Sequence, residues 1–350
     1  MGRGRYDRGM AIPDPVPVLN QFLHATSLRR TQPLGNAGGW SGSLLWRIQT
    51  DALGAGLPTS PQQFCLRRWP DGTSPDRLRF IHQILTHVAA QRIDFVPAPV
   101  PLLGRTGVTL VQSEDNYLWD LCPWLPGIAD FHARPTRQRL AAAMRALARF
   151  HTAAANHQPP VASTAPAPAI VERIDLVQQL LSGDFDRIEA AVHAGLDANL
   201  DLRAVRVLAL CRNRLAALSP GLESAAQLRL PLSPAIRDIH HDHVLFTGDE
   251  VTGLIDFGAL RIDTPLADIA RLVGSLVGDD QPARDFALSA YGQLCPLSDQ
   301  DRHLIDLLDE AGLLLGGLNW LRWLYLERRD MGPLRSILKR LDEILSRLIR

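Results

Sequence analysis

The stretch Ala235–Leu272, AIRDIHHDHVLFTGDEVTGLIDFGALRIDTPLADIARL, decides the fold of this 350-residue chain. Two short runs of β-prone residues, 244–246 and 251–255, flank a Thr-Gly-Asp-Glu segment at 247–250. Apolar runs separated by residues of turn composition are typical of paired strands. The stretch therefore predicts an antiparallel β-hairpin.

Three side chains of chemical interest accompany this hairpin. His243 precedes the first strand and Asp256 follows the second, so we expect residue 243 roughly opposite residue 256 at the open end. Asp238 lies just upstream, in a segment too polar to be a simple core strand. Two carboxylates and an imidazole are costly to crowd together unless a cation or a substrate is present. The alternative is a surface hairpin whose aspartates merely shape turns.

Three details of the stretch favour phosphoryl transfer. Asp238, a group that can accept a proton, precedes the polar ligand His243 by five residues. An Asp-Phe-Gly sequence follows at 256–258, in which the aspartate can bind a metal and the glycine gives backbone freedom. A helix is then predicted with Asp263 as its cap and Pro265 in its first turn.

The stretch resembles the catalytic centre of the aminoglycoside phosphotransferase and choline-kinase-like family, a branch of the protein-kinase fold. The family pattern is His-Gly-Asp-x-His-x-x-Asn, a hairpin, Ile-Asp-Phe/Trp-Gly and then Asp-Pro-x-x-Asp. Carried over by position, the resemblance implies that Asp238 is the catalytic aspartate and His240 the histidine that follows it. It implies that Asp256 is the metal-binding aspartate and Asp268 the helix aspartate.

The chain departs from the family pattern at three positions. Ile236 stands where the family usually has histidine, Arg237 where it has glycine, and His243 where it has the metal-binding asparagine. Imidazole is a poorer ligand than an amide oxygen for the hard cation Mg²⁺.

The resemblance also implies an α+β, two-lobed protein-kinase-like fold. Its parts would be a small antiparallel-sheet N-lobe that binds nucleotide (15–121), a hinge (122–127) and a mostly helical C-lobe (128–350). The catalytic loop (235–272) belongs to the C-lobe. Residues 1–14 are predicted to be disordered.

A glycine- and serine-rich loop enters a β-prone segment within residues 34–48. Glycines let backbone N–H groups approach phosphate oxygens, and serine hydroxyls add donors. Together with the later aspartates, this composition predicts a phosphate-binding loop. The candidate residues are Gly39, Ser41, Gly42 and Ser43.

The strand at 62–69 is expected to carry a phosphate-binding cation. Kinase-like folds use a lysine there, but Lys339 is the only lysine in the chain. Relatives often have Leu-Arg at this point, which implies Arg67, with Arg68 as the rival. The helix predicted at 74–91 contains no glutamate to pair with that cation.

Cys122-Pro-Trp-Leu-Pro-Gly127 resembles the family's hinge, where backbone groups bind adenine and a side chain stacks on it. The resemblance implies Cys122 and Trp124 as nucleotide-binding residues. The alternative for Trp124 is core packing, which is about equally common for a tryptophan.

Composition excludes several classes of function. The chain has 37 basic and 37 acidic residues, so no nucleic-acid footprint is indicated. Its strongly apolar stretches are too short to span a bilayer, which predicts no membrane role. The four cysteines are far apart, as expected of a reduced, cytoplasmic protein.

The predicted function is Mg²⁺-assisted transfer of the γ-phosphoryl group of ATP, with GTP also possible, to a hydroxyl of a small molecule. Asp256 and His243 would hold the metal. The sequence identifies neither the acceptor nor the oligomeric state. One alternative is a nucleotide-binding pseudokinase with little or no transfer activity. A metal-dependent hydrolase that uses residues 240–243 ranks last, because consecutive ligands on an extended segment point in alternating directions.

Overall fold

The computed structural model describes residues 12–35, 42–51, 62–157 and 164–349. The chain forms two compact units, one of residues 1–82 and 98–124 and the other of residues 83–97 and 125–350. The predicted disordered segment 1–14 and the predicted loop residues Gly39 and Ser41 lie wholly or mostly outside the described ranges. No helix in the described part of the chain is long and apolar enough to cross a membrane.

The first unit is built on a five-stranded antiparallel sheet of order β1-β2-β3-β5-β4. The strands are β1 (Leu28–Gly35), β2 (Leu44–Thr50), β3 (Gln62–Arg68), β4 (Val111–Gln112) and β5 (Leu118–Pro123). Helix α1 (Val16–Phe22) contributes Leu19 and Phe22 to the same core.

Alternating burial explains why these segments form a sheet. In β2 the buried side chains are Trp46, Ile48 and Thr50, every second residue. An apolar face of this period packs on one side of a pleated strand. Trp46 meets Trp119 of β5 at 5.1 Å between ring centroids, which closes the core across the sheet.

The second unit is mostly helical among the residues described. Helix α2 (Pro75–Ala90) continues from the first unit into it. The other helices are α3 (Arg137–Ala155), α4 (Pro168–Gln179), α5 (Phe185–His193), α6 (Ala198–Ala226), α7 (Leu266–Val277), α8 (Gln281–Gly292), α9 (Asp299–Leu321) and α10 (Leu334–Leu348). The short strands are β6 (Thr164–Ala165), β7 (Leu230–Pro231), β8 (Ser233–Ala235), β9 (Val244–Thr247), β10 (Glu250–Leu254) and β11 (Arg261–Asp263). An antiparallel sheet and a mostly helical remainder confirm the predicted fold class.

The hairpin predicted from the sequence is β9 and β10, but its register differs from the prediction. The backbone oxygen of His243 accepts from the N–H of Ile255 at 3.0 Å, so residue 255, and not residue 256, is its partner. The register shift between Val251 and Gly253 moves the partner of residue 243 from 254 to 255, because a β-bulge places an extra residue on one strand.

A second antiparallel pair, β8 with β11, encloses the hairpin in sequence and connects it to α7. Ala235 lies opposite Arg261, and Ser233 lies opposite Asp263. The loop that carries Asp238 therefore starts at a strand end whose position is fixed by the strand that leads into α7.

Candidate active site

The loop after β8 is attached to helix α7 through Asp268. This carboxylate is fully buried and accepts from the backbone N–H groups of Ile236 and Arg237, each at 2.6 Å. Two charge-assisted hydrogen bonds to consecutive amides fix the backbone immediately before Asp238. Asp268 thus positions Asp238, the predicted catalytic residue, although the two are far apart in the sequence.

The orientation of Asp268 is fixed in turn by a buried histidine and tyrosine. His151 Nε2 lies 3.1 Å from Asp268 Oδ2, and His151 Nδ1 lies 2.8 Å from the Tyr291 hydroxyl. Because the carboxylate only accepts, His151 donates from Nε2 and accepts from Tyr291 at Nδ1. His151 therefore has a structural role, linking Tyr291 to Asp268.

Arg237 occupies the position at which the resembled family has glycine, and its backbone keeps the conformation that glycine favours. Its φ is 72°, in the left-handed region. The guanidinium lies between Asp263, at 2.5 Å, and Glu172, at 2.6 Å. These ion pairs offset a backbone cost of the order of 1 kcal/mol.

Asp263 is not the cap of α7, contrary to the prediction. Its Oδ1 accepts from the backbone N–H groups of Thr264 at 2.7 Å and of Ala169 at 3.1 Å, the latter at the start of α4. Burial raises the pKa of Asp263, and the charge of Arg237 opposes that rise. The buried carboxylate joins α4 to β11, while at the start of α7 it is the Thr264 hydroxyl oxygen that accepts from the backbone N–H of Leu266, at 3.4 Å.

The three predicted residues Asp238, His243 and Asp256 lie together. His243 contacts Asp238 through the backbone oxygen of Asp238 and not through its carboxylate. His243 Nδ1 donates to the backbone oxygen of Asp238 at 2.8 Å, and its Nε2 lies 3.7 Å from Asp256 Oδ2. The Asp238 carboxylate, 45% exposed, forms an ion pair with Arg271 of α7. Asp256 itself has φ 62° and ψ 64°, an uncommon conformation for a residue other than glycine.

A divalent cation fits the donor set at the end of the hairpin. Asp256 supplies carboxylate oxygens. Because His243 Nδ1 donates its proton to the backbone oxygen of Asp238, the lone pair of the neutral ring is on Nε2, which lies 3.7 Å from Asp256 Oδ2. Mg²⁺ favours carboxylate oxygens such as those of Asp256, whereas an imidazole nitrogen is a better ligand for transition-metal ions than for Mg²⁺.

A second group of donors lies on the turn before the hairpin. One donor atom from each of His240, His241 and Asp242 lies within 4.8 Å of the others. The expectation that consecutive residues here point apart is wrong, because residues 241–243 form a 3₁₀ turn and not an extended segment. The rings of His240 and His243 lie 3.9 Å apart, and burial lowers the pKa of His240 to about 2.

The predicted nucleotide-binding residues that the structure describes belong to the first unit. Gly42 has a positive φ of 79°, and Ser43 is buried. The Arg67 guanidinium lies 4.6 Å from the ring centre of Trp69. Arg68, its rival, is buried with its guanidinium 4.1 Å from the Tyr117 ring.

Cys122 and Trp124 lie at and beyond the end of β5. Cys122 lies opposite Cys65 on the neighbouring strand β3, and both are free thiols. Burial raises the pKa of both thiols. Trp124 is half-buried, and its ring lies 4.6 Å from the Arg47 guanidinium, so it is not a core residue.

Sequence reasoning missed Asp120 and Arg271. Asp120 is buried, lies opposite Arg67 in the sheet, and bonds Trp69 Nε1 at 2.8 Å and His82 Nε2 at 3.0 Å. Its signal was a lone aspartate inside an apolar strand. Arg271 was harder to predict, because the sequence indicates only that it lies one helical turn after Asp268.

The sequence profile of the phosphotransferase enzyme family matches residues 34–304, which is more than half of the chain. The protein belongs to this phosphotransferase family. Membership confirms the predicted resemblance and the prediction of an enzyme of the small-molecule kinase class.

Two curated relatives are homoserine kinases. That of Rhodospirillum rubrum is 26% identical over 242 residues, which cover 67% of this chain and 66% of that enzyme. That of Bradyrhizobium diazoefficiens is 25% identical over 275 residues, covering 76% and 75% of the two chains. The alignment thus spans just under two thirds of the length of the first relative.

Among solved structures, spectinomycin phosphotransferase in complex with ADP and spectinomycin is similar, with a TM-score of 0.62. The alignment covers 92% of this chain and 93% of that one at 11% identity. At this identity the likeness concerns the fold alone.

Proposed function

We propose that this phosphotransferase moves the γ-phosphoryl group of ATP to a hydroxyl of a small molecule, with a divalent cation. The observation that carries the proposal is the arrangement of Asp238, His243 and Asp256 on one anchored loop and hairpin. Phosphoryl transfer requires mainly positioning and neutralisation of charge, and this arrangement provides a carboxylate for each task.

Asp238 would orient the acceptor hydroxyl and take its proton. Its carboxylate is 45% exposed, while its backbone is held by the bonds from Asp268 to the two preceding amides. A general base must combine access with fixed geometry, and Asp238 has both. Arg271 would hold the carboxylate in place through their ion pair.

Asp256 and His243 would hold the cation, which when bound neutralises the charge that develops on the phosphates. On the nucleotide side, Arg67 with Gly39, Ser41, Gly42 and Ser43 would bind phosphates. Cys122 and Trp124 would contact the base. A guanidinium can replace the usual lysine, since it binds phosphate through two donors.

The acceptor is proposed to be a hydroxylated metabolite of low molecular weight that carries a carboxylate, as homoserine does. Burial and the guanidinium groups of Arg237 and Arg271 lower the pKa of Arg173 to about 10. Arg173 thus lies within electrostatic reach of Arg237 and Arg271, and Arg271 pairs with Asp238, so these guanidinium groups would favour an anionic acceptor over a polycationic one. The names of the two curated relatives support the same class.

The second candidate is a nucleotide-binding pseudokinase. Its support is the ion pair of Asp238 with Arg271, which occupies the carboxylate that must receive the proton. The lack of a lysine on β3 supports it as well.

The test is consumption of ATP by the purified protein with Mg²⁺ or Mn²⁺ and a panel of hydroxylated metabolites that includes homoserine, choline and an aminoglycoside. We expect consumption that depends on a carboxylate-bearing acceptor and is lost in Asp238→Asn. ATP binding by calorimetry without consumption under any condition would favour the pseudokinase. Faster turnover with the polycation than with the amino acid would contradict the proposed acceptor class.

A further inference from the structure

We propose that the cation site of His243 and Asp256 selects Mn²⁺ over Mg²⁺. This inference rests on the proposed function only in assuming that the site binds a divalent cation. Cation binding can be measured without turnover, so the two proposals can fail separately.

The tautomer of His243 leaves a lone pair on Nε2 for a cation. Its Nδ1 lies 2.8 Å from the backbone oxygen of Asp238, and a carbonyl oxygen only accepts. The proton of the neutral ring is therefore on Nδ1, and the lone pair is on Nε2. Metal-binding histidines in proteins commonly donate their other ring N–H to a carbonyl or carboxylate in this way.

The two donor atoms of the site lie near each other without forming a hydrogen bond. His243 Nε2 lies 3.7 Å from Asp256 Oδ2, too far for a hydrogen bond. Neighbouring ligands about 2.1 Å from one ion lie roughly 3.0 to 3.4 Å apart, so a small side-chain rotation suffices for both to reach it. The pair is spaced for a shared cation and not for a direct bond.

The imidazole of His243 is held in place. The side chain of His243 is only 13% exposed, and the ring of His240 lies 3.9 Å from it between centroids. The contact with the His240 ring and the bond to the backbone oxygen of Asp238 restrict rotation of the His243 ring. Binding a cation therefore costs little ordering of this ligand.

The chemistry of the donors decides which ion is preferred. Mg²⁺ takes oxygen ligands and rarely exchanges one for a nitrogen. Mn²⁺ shares the preference of Mg²⁺ for carboxylate oxygens but, as a transition-metal ion, accepts an imidazole nitrogen more readily than Mg²⁺ does. We expect Mn²⁺ to bind at least 10-fold more tightly than Mg²⁺, and His243→Asn to bring the two affinities within about threefold.

The experiment is a titration of the nucleotide-free protein with Mn²⁺, followed by electron paramagnetic resonance of the free ion, and then displacement by Mg²⁺. Pulsed measurements on the bound Mn²⁺ report directly whether a ¹⁴N nucleus of imidazole is coordinated. We expect ¹⁴N coupling in the wild type and its loss in His243→Asn.

The neighbouring donors require a matched control, because His240 and His241 would also give ¹⁴N coupling. The control is His241→Ala with Asp242→Ala, which removes two donors of that group and keeps His243. Coupling that survives in this control and vanishes in His243→Asn supports the inference. Coupling that vanishes only in the control, or no coupling at millimolar Mn²⁺, overturns it.

The outcomes separate the two proposals. A His243-dependent preference for Mn²⁺ without transfer to any acceptor leaves the inference standing and removes the proposed function. Transfer that is equally fast with Mg²⁺, together with equal binding of both ions by the wild type, removes the inference alone. Asp238→Asn should keep the Mn²⁺ preference, because its side chain is not among the ligands.

Discussion

The backbone N–H of Arg237 donates to Asp268 Oδ1 at 2.6 Å while the φ of Arg237 is 72°. A bulky residue is thus held in a conformation that suits glycine, one residue before Asp238. The buried carboxylate of Asp268 fixes this backbone, and the ion pairs of the Arg237 side chain make the replacement tolerable. Ion pairs of Arg237 therefore stabilise the loop at the position where the family usually has glycine.

Replacing Arg237 separates these two contributions. Arg237→Ala keeps the backbone strain and loses both ion pairs, so we expect the free energy of unfolding to fall by about 3 kcal/mol. Arg237→Gly loses the same pairs but relieves the strain, and should be less destabilised by about 1 kcal/mol. Urea unfolding of both variants measures the difference. A glycine variant no more stable than the alanine variant would show that the left-handed φ carries no cost.

The pH dependence of the Arg237→Ala defect follows from Asp263. Burial raises the pKa of this carboxyl and Arg237 opposes the rise, so the variant should raise it further. A raised carboxyl pKa contributes stability that is full below the unfolded value, about 3.9, and is lost as pH rises through the folded value. The loss of stability relative to wild type should therefore be smallest near pH 4 and largest at neutral pH.

The control for this pH dependence is the same substitution in an Asp263→Asn background, where the titrating group is absent. There the difference in unfolding free energy should not change between pH 4 and pH 7. A defect of constant size in the presence of Asp263 would exclude that carboxyl as its source.

Asp268→Asn should impair both stability and turnover. The amide NH₂ cannot accept, so one of the two N–H groups of Ile236 and Arg237 loses its partner in a buried site. We expect a loss of about 2 kcal/mol in stability and at least a tenfold fall in kcat with KM for ATP little changed. Tyr291→Phe, which removes the hydroxyl that donates to His151 and leaves Asp268 in place, should cost about 1 kcal/mol and change kcat less than threefold. Equal effects of the two variants on kcat would argue against a positioning role for Asp268.

The sequence predicted the hairpin, the fold class and the family because these depend on local pattern and on motif spacing. It placed Asp238, His243 and Asp256 near each other, since one turn and one loop suffice to do so. It could not predict the partner of Asp238, because Arg271 reaches it from a helix 33 residues away. The true role of Asp263 was missed for a related reason: its partner, the N–H of Ala169, lies 94 residues upstream.

The bulge in the hairpin and the 3₁₀ turn before it were also beyond the pattern. Thr252 lies at the register shift, where its hydroxyl donates to the Pro126 oxygen at 2.7 Å. Contacts of this kind come from tertiary structure and can override local propensity. The turn at 241–243 is what brings the donors of His240, His241 and Asp242 together, and alternation of an extended chain could not indicate it.

Asp256→Asn tests the metal-binding aspartate apart from the fold. Asparagine tolerates the left-handed φ of 62° about as well as aspartate, so stability should change by less than about 1 kcal/mol. Because an amide binds a divalent cation more weakly than a carboxylate, kcat should fall at least 100-fold at saturating ATP. Turnover with increasing metal concentration, beside circular dichroism, measures both effects. Wild-type turnover in this variant would refute the assignment of Asp256.

Gly274→Ala tests the packing of α7, the helix that carries both Asp268 and Arg271. A Cβ atom at Gly274 would lie 2.0 Å from Asp309 Oδ1. Asp309 cannot easily move, because Arg284 holds it at 2.7 Å and Arg347 at 2.8 Å. We expect a loss of about 3 kcal/mol in unfolding free energy, together with a fall in kcat as α7 shifts.

The matched control is Gly316→Ala in α9, where nothing lies within 4 Å of the added Cβ. That substitution should raise the unfolding free energy by about 0.5 to 1 kcal/mol, through helix propensity alone, and leave kcat unchanged. If both variants gained stability, Asp309 would have to be mobile despite its two arginines. Helix α7 would then have room to move. The close contact of Gly274 with Asp309 would not explain how Asp268 and Arg271 are aligned with the loop that carries Asp238.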